Sequence, residues 1–131
     1  MHPFDPQTVD FDPPCRIYGG SYSDVEALVD EDDYLFFSRW LWLPRERRKK
    51  VYLARSSGVY NGSGRLYVVS IYLHVEILTR AKGPPPTRTR NICDHINGNS
   101  LDCRRQNLRW VTKRQNNRNR FGRDAYQRNL L

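Results

Sequence analysis

The sequence predicts an α+β fold, in which a small antiparallel sheet with a helix precedes a C-terminal module of strand, loop, strand and helix. Three runs rich in aromatic and β-branched residues are separated by turn residues, which favours three antiparallel strands, at residues 40–43, 51–54 and 66–72. Later in the chain, two shorter strand-like runs at residues 92–95 and 107–111 lead into a helix. Thr112 heads that helix, and Gln115 three residues later completes a capping box.

The segments around these elements divide the chain into three parts: an N-terminal arm at residues 1–23, a β-rich region at 24–80 and the C-terminal module at 81–131. The arm contains four prolines and a Gly-Gly pair and shows no lasting periodicity. Within the β-rich region, apolar residues alternate from Val25 to Val29, which predicts a short strand, and the acids that follow at 30–33 suit a helix N-terminus.

Two shorter segments join the β-rich region to the C-terminal module. Residues 74–78 predict one or two helical turns. Residues 82–86, Lys-Gly-Pro-Pro-Pro, predict a stiff, extended linker.

The charge of the chain is strongly divided along its length. The 131 residues carry a formal net charge of +8, with a pI near 9.8. Residues 1–33 hold nine acids and one base, whereas residues 34–131 hold 21 bases and five acids. A basic body of this size indicates a polyanionic partner, most often nucleic acid, and its alternative is a basic surface kept for solubility.

Other classes of protein are disfavoured by the composition. The chain has no apolar run long enough to span a membrane and no signal-like start, so we expect no membrane partner. Three cysteines make no disulfide framework, and a reducing cytoplasm is the natural setting.

Hydrolytic chemistry is indicated by an acid and an imidazole side by side, Asp94 and His95, followed by an Asn-Gly turn. A carboxylate can hold a hard divalent metal, and a neutral imidazole can take a proton from water. Asn116 lies 22 residues after the acid, in the first turn of the C-terminal helix, where it can point at the same ion. Oxygen donors favour one Mg²⁺ or Mn²⁺ ion.

These residues carry a resemblance to a known family. The segment from about His74 to Arg120 resembles the HNH endonucleases of the phage and mobile-element type, through the Asp-His pair, the Asn-Gly turn, the Asn-Leu-x-Trp strand and the Asn-rich helix. Residues 29–74 also resemble the sheet that often precedes this nuclease in homing enzymes.

The resemblance implies a ββα-metal fold and a role for each site residue. Asp94 and Asn116 would be metal ligands, and His95 the general base. Asn107 would hold the loop and His95 in place. His74 matches a histidine that orients a phosphate or is simply packed, and the sequence leaves both open.

Two cysteines depart from the family pattern. Cys103 stands where asparagine is common, and Cys93 directly precedes the Asp-His pair. Structural zinc is disfavoured because no paired Cys-x-x-Cys is present.

Double-stranded DNA is the expected partner, with no small-molecule substrate, and the oligomeric state is left open. The basic residues expected to contact DNA are Arg47, Arg48, Lys49, Lys50, Lys113, Arg114, Arg118, Arg120 and Arg123. The connection between the runs at 40–43 and 51–54 is expected to hold five bases, Arg45, Arg47, Arg48, Lys49 and Lys50, and for these a charged hairpin tip without a partner is an equal alternative. The tail from Lys113 to Arg128 should bind phosphates, and sequence choice should come from the sheet between Trp40 and Tyr72.

The sequence thus predicts a metal-dependent DNA endonuclease acting in the cytoplasm of a bacterial or phage-infected cell. The main alternative is a catalytically inactive, sequence-specific DNA-binding protein, which would have no need for Asp94, His95 and Asn116 together. No base-stacking motif favours an RNA-binding protein.

Overall fold

The computed structural model describes residues 15–20 and 24–124, which contain three α-helices, a short 3₁₀ helix (Arg105–Asn107) and seven strands. In chain order the elements are β1 (Cys15–Tyr18), β2 (Glu26–Val29), α1 (Glu31–Phe37), β3 (Leu43–Arg47), β4 (Lys50–Tyr60), β5 (Leu66–Tyr72), α2 (Leu73–Lys82), β6 (Ile92–His95), β7 (Leu108–Val111) and α3 (Lys113–Arg118). No helix in these ranges is long and apolar enough to span a bilayer.

The strands form three small sheets, with the orders β1-β2, β3-β4-β5 and β6-β7. Every pair of neighbouring strands within them is antiparallel. Small antiparallel sheets with a few helices agree with the predicted α+β class.

The predicted N-terminal arm is partly a strand. β1 pairs with β2 along its whole length, from Cys15–Val29 to Tyr18–Glu26, so the arm prediction is wrong for residues 15–18. Ile17 is buried in the core, and this single buried side chain left no periodic signal in so short a run. The rest of the predicted arm, apart from Gly19 and Gly20, lies outside the described residues.

The first strand of the central sheet starts later than predicted. Residues 40–42 are not a strand, because Trp42 is buried and donates its indole N–H to the carbonyl of Phe37 at 2.8 Å, which closes the turn after α1. β3 is an edge strand, where Pro44 can be placed without losing a ladder hydrogen bond. Arg45 and Arg47 therefore lie in a strand, not in a connection.

The connection between β3 and β4 is a tight turn of two residues. Arg48 and Lys49 both have positive φ, 50° and 67°, as a type I′ hairpin requires. β4 then continues six residues beyond its predicted end at Ala54 and pairs with β5 up to Tyr60–Leu66.

The helix after the sheet is longer than the sequence indicated. α2 has ten residues and ends where Gly83 takes a φ of 84°. The predicted linker at 82–86 therefore begins within the last turn of α2, and the indole of Trp110 donates to the carbonyl of Gly83 at 3.3 Å.

One hydrophobic core joins the β-rich region to the C-terminal module, so the predicted boundary at residue 80 does not separate two cores. Its buried members come from both sides, among them Val29, Leu53, Ile77, Cys93 and Leu108.

Polar contacts bind the same two parts together. Asp33 is fully buried and accepts two hydrogen bonds from the guanidinium of Arg105, at 2.8 and 2.9 Å. The backbone of Leu28 in β2 bonds to Leu101 and Cys103, both at 2.8 Å. The acidic N-terminal segment thus holds the loop between β6 and β7.

The C-terminal module has the predicted strand, loop, strand and helix. In α3, the side chain of Thr112 accepts the N–H of Gln115, and the Gln115 side chain accepts the N–H of Thr112, which confirms the capping box. The helix continues two residues past Asn116, so Arg114 and Arg118 lie one turn apart in it, whereas Arg120 and Arg123 lie beyond its end.

The helix ends at Arg118 because the side chain of the next residue, Asn119, is buried and held by hydrogen bonds. It donates to the carbonyls of His95 and Ile96 at 3.3 and 3.0 Å. The chain then packs so tightly on the Asn-Gly turn that a Cβ on Gly98 would lie 2.6 Å from the nitrogen of Gly122. Residues 125–128 of the predicted basic tail lie outside the described part of the chain.

Candidate active site

A cavity forms where the central sheet, α2, β6 and α3 meet. Its volume of about 150 Å³ holds several water molecules, since one needs about 10–15 Å³. It is lined by Arg47, Arg48, Lys50, Tyr52, His74, Ile92, Cys93, Asp94, His95, Asn116, Asn117 and Arg120. The cavity thus contains the predicted acid, base and amide together with four cationic side chains.

Asp94 is held by one of its two oxygens. Oδ2 accepts Nε of Arg109 at 2.9 Å and Nδ2 of Asn119 at 3.0 Å. Arg109 is paired directly opposite Asp94 in the β6-β7 ladder and also binds Asp124. Among the described residues no donor bonds Oδ1, so one oxygen of a fixed carboxylate remains for another ligand.

His95 has a ring nitrogen that no other described residue contacts through a hydrogen bond. Its ring is buried, and Nε2 has no hydrogen-bond partner among the described residues. Burial, and then the positive charge of Lys50, lower the pKa of His95 to about 3. The imidazole is therefore neutral at pH 7, the state in which it can accept a proton.

The donors around the cavity fit a divalent cation. Asp94 supplies a carboxylate oxygen, and Asn116 lines the same cavity and brings an amide. No group of three or more His, Cys, Asp or Glu side chains that could hold a metal occurs among the described residues. Two protein oxygens with open space suit an ion that keeps several waters, as Mg²⁺ does.

His74 belongs to a cluster of rings under the cavity. Its ring centroid lies 4.8 Å from that of His95 and 5.1 Å from that of Tyr52. Burial first, then the nearby His95 and Arg47, lower the pKa of His74 well below 6.5. The histidine is thus both packed and at the cavity wall, so both alternatives, orienting a phosphate or packing alone, remain open.

The buried, neutral His74 should make the fold sensitive to acid. Because its pKa is lowered in the folded state, the unfolded chain binds the extra proton below about pH 6.5, and stability falls as pH falls below that value. One proton corresponds to at most about 1.4 kcal/mol per pH unit. Urea unfolding between pH 5 and 7.5 should show a flatter dependence for His74→Gln than for the parent, and equal slopes would contradict this.

Asn107 ties the loop that leads away from His95. Its Oδ1 accepts the N–H of Asn97 at 3.0 Å, and its Nδ2 donates to Oδ1 of Asn97 at 3.0 Å and to the carbonyl of Asp102 at 2.9 Å. It does not line the cavity. Through these bonds Asn107 could hold the loop, which is the role that the resemblance implies for it.

Asn107→Ala should therefore lower stability together with activity. Leaving buried partners unsatisfied costs roughly 1–3 kcal/mol for each bond, and a thermal melt measures it. The control is Asn91→Ala, an exposed asparagine, which should melt like the parent. An Asn107→Ala protein with a parental melting temperature but no cleavage would show that the side chain serves the chemistry instead.

The predicted DNA contacts divide into two groups. Arg47, Arg48, Lys50 and Arg120 line the cavity, whereas the remaining five do not: Lys49, Lys113, Arg114, Arg118 and Arg123. Lys50 also connects the sheet to the C-terminal module, since its ammonium donates to the carbonyls of Gly98 at 3.0 Å and Arg120 at 2.6 Å. Burial lowers the pKa of Lys50, an effect that Asp94 opposes.

Comparison with known protein families gives a match that lies in the C-terminal half of the chain. Residues 71–118 match the family model of the HNH endonucleases. The match spans His74, Asp94, His95, Asn107 and Asn116 and covers rather more than a third of the chain. No curated protein and no solved structure gives a significant match.

Several site residues were missed by the sequence analysis. Tyr52 was not predicted, and together with Arg47, Arg48 and Lys50 it means that a third of the residues lining the cavity come from the preceding sheet. All four cavity cations, although predicted to contact DNA, lie outside the matched segment. Asn119 and Arg109, which hold Asp94, could have been suspected only from the predicted pairing of the two strands and from the Asn-rich helix.

Proposed function

We propose that this chain is a metal-dependent endonuclease that hydrolyses phosphodiester bonds in double-stranded DNA, in the manner of a homing-type HNH enzyme with a ββα-metal module. The observation that carries the proposal is the meeting of Asp94, His95 and Asn116 in one cavity with a basic rim. A binding protein has no need for a fixed carboxylate beside a neutral imidazole whose Nε2 lacks a partner among residues 15–20 and 24–124.

Each group of cavity residues has its own role in the proposed hydrolysis. Neutral His95 accepts a proton from a water molecule, whose oxygen attacks phosphorus as the bond to the 3′ oxygen breaks. Arg47, Arg48 and Arg120 hold the phosphate by charge. Asp94 and Asn116 would hold one Mg²⁺ or Mn²⁺ ion, which when bound neutralises charge on the phosphate and the leaving oxygen.

Cleavage of supercoiled plasmid tests this function. The protein with Mg²⁺ or Mn²⁺ should convert the plasmid to nicked or linear forms, and the same protein in excess EDTA should not. Binding without any cleavage in either metal would favour the alternative, an inactive DNA-binding protein. Cleavage that persists in EDTA would contradict metal dependence.

DNA affinity should depend strongly on salt, because the cavity rim and α3 are basic. Each phosphate contact on duplex DNA contributes roughly −0.9 to the slope of log K against log salt. The double variant Arg118→Ala/Arg120→Ala should flatten that slope by up to about two units, on cognate and scrambled duplexes alike.

The control for this prediction removes two arginines away from the cavity. In Arg16→Ala/Arg39→Ala the lost side chains bind Glu26 and the carbonyl of Phe36, so the slope should stay parental. A parental slope in the Arg118/Arg120 variant would show that this segment does not clamp phosphates.

A further inference from the structure

The central sheet has a part that projects beyond its edge strand. β3 pairs with β4 only from residue 50 to residue 54, whereas β4 and β5 remain paired from Ala54–Tyr72 to Tyr60–Leu66. The outer part, residues 56–70, is a two-stranded hairpin. It exposes large apolar side chains, with Val68 71% and Tyr60 70% exposed, although such a hairpin alone is only marginally stable in water.

The two faces of this sheet have different surroundings. Directly paired residues share a face, and successive residues alternate between faces. One face, here called the cavity face, carries Arg45, Arg47, Lys50, Tyr52, Ser56, Gly58, Tyr60, Leu66, Val68, Ser70 and Tyr72. The opposite face carries Leu53 and Arg55 near the core, then Val69 and Tyr67 towards the tip.

Contacts between side chains support this division. On the cavity face, the ring centroids of Tyr52 and Tyr72 lie 6.1 Å apart, the Arg47 guanidinium lies 5.1 Å from the Tyr72 ring, and Arg45 bonds to Ser70. Tyr52 and Arg47 also line the catalytic cavity. The cavity face is therefore one surface that runs from the site out to the hairpin tip.

The charges on the two faces indicate the partner. Arg45, Arg47 and Lys50 give the cavity face three cations and no acid. Glu46, the one acid between residues 43 and 72, lies on the opposite face. A second copy of this surface would meet it with like charge, whereas a polyanion is attracted to it.

We propose that the cavity face of the β4-β5 hairpin lies against the DNA duplex beside the cut, with Val68 and Tyr60 in a groove. This rests on the proposed function for the identity of the partner. A two-stranded ribbon fits the major groove, where apolar side chains can contact thymine methyl groups. From Lys50 to Tyr60 the strand spans roughly 33 Å at about 3.3 Å per residue, equal to about ten base pairs.

Two neighbouring valines on β5 provide the test, because Val68 lies on the cavity face and Val69, also exposed, on the other. The variants are V68E, V69E and V68K. Dissociation constants are measured with a duplex of about 40 base pairs, which is longer than the roughly ten base pairs that the hairpin would cover on either side of a cut. Thermal melts and sedimentation of the same samples report folding and oligomeric state.

V68E should weaken duplex binding about tenfold or more, because a carboxylate would face phosphates, while V69E stays within about twofold of the parent. V68K should bind at least as well as V69E. Because V68K and V68E both lack Val68 but carry opposite charges, their comparison distinguishes the effect of charge from the effect of losing the valine. Parental binding by V68E, or an equal loss in V69E, would overturn the proposal. So would a parental dimer that V68E dissociates, since this surface would then be a contact between copies.

Plasmid cleavage by the parent separates this inference from the proposed function. If the parent cleaves and V68E binds like the parent, only the docking surface is overturned. If the parent never cleaves but V68E alone loses binding, the docking surface stands and the nuclease proposal fails.

Discussion

Replacing His95 by alanine is expected to lower the rate of DNA cleavage by about 10²–10⁴-fold, the usual cost of losing a general base. The expectation rests on a buried imidazole that is neutral at pH 7 and whose Nε2, at the cavity, has no hydrogen-bond partner in the described part of the chain. Because the four cavity cations remain in place, the dissociation constant for duplex DNA should change little.

The measurement is single-turnover cleavage with protein in excess, read beside binding by the same preparation. Lys82→Met is a suitable control, since Lys82 is exposed at the end of α2, away from the cavity. His95→Ala protein that cleaves at the parental rate would remove this residue from the mechanism.

Asp94→Asn should cause a loss of similar size, of roughly 10³-fold, since a metal-bound phosphate is stabilised by several kcal/mol. The substitution removes the full negative charge that would hold the cation. Asn116→Ala should have a smaller effect, because a neutral amide is a weaker ligand than a carboxylate. In both variants, the metal concentration needed for half-maximal cleavage should rise.

Asp124→Asn is the matched control for Asp94, because both carboxylates bind Arg109 but only Asp94 lines the cavity. It should retain cleavage and its metal requirement. If the Asp94 and Asp124 variants lost equal activity without a shift in metal requirement, the role of Asp94 would be to position Arg109 and not to bind a cation.

Local patterns predicted the parts of the fold that depend on neighbouring residues. The capping box of Thr112 and Gln115 fixes the start of α3 through two hydrogen bonds within four residues. The turn at residues 61–64 is similar, since Oδ1 of Asn61 accepts the N–H groups of Ser63 and Arg65.

Element boundaries were predicted wrongly, or not at all, where distant residues decide the structure. The end of α3 is set by Asn119, which binds groups 23 to 25 positions earlier in the chain. The start of β3 is set by the burial of Trp42, which the apolar run at 40–43 could not distinguish from a strand.

In the candidate site, too, residues marked by local patterns were predicted and those placed by distant contacts were not. Asp94 and His95 were identified from adjacent residues, and Asn116 from a helix start that the capping box located. The contribution of Lys50 depends on bonds to Gly98 and Arg120, 48 and 70 positions away, which no local pattern contains. The basic turn alone could not show which of its side chains point into a cavity.

The most direct test of the central claim, that this cavity hydrolyses DNA, is the formation of nicks that DNA ligase can reseal. Attack on phosphorus with departure of the 3′ oxygen leaves a 3′-hydroxyl and a 5′-phosphate, the ends that ligase joins. The account predicts that parent protein with Mg²⁺ or Mn²⁺ accumulates such nicks in supercoiled plasmid, and that identically purified His95→Ala protein does not. Equal nicking by both proteins, or nicks that ligase cannot seal, would contradict it.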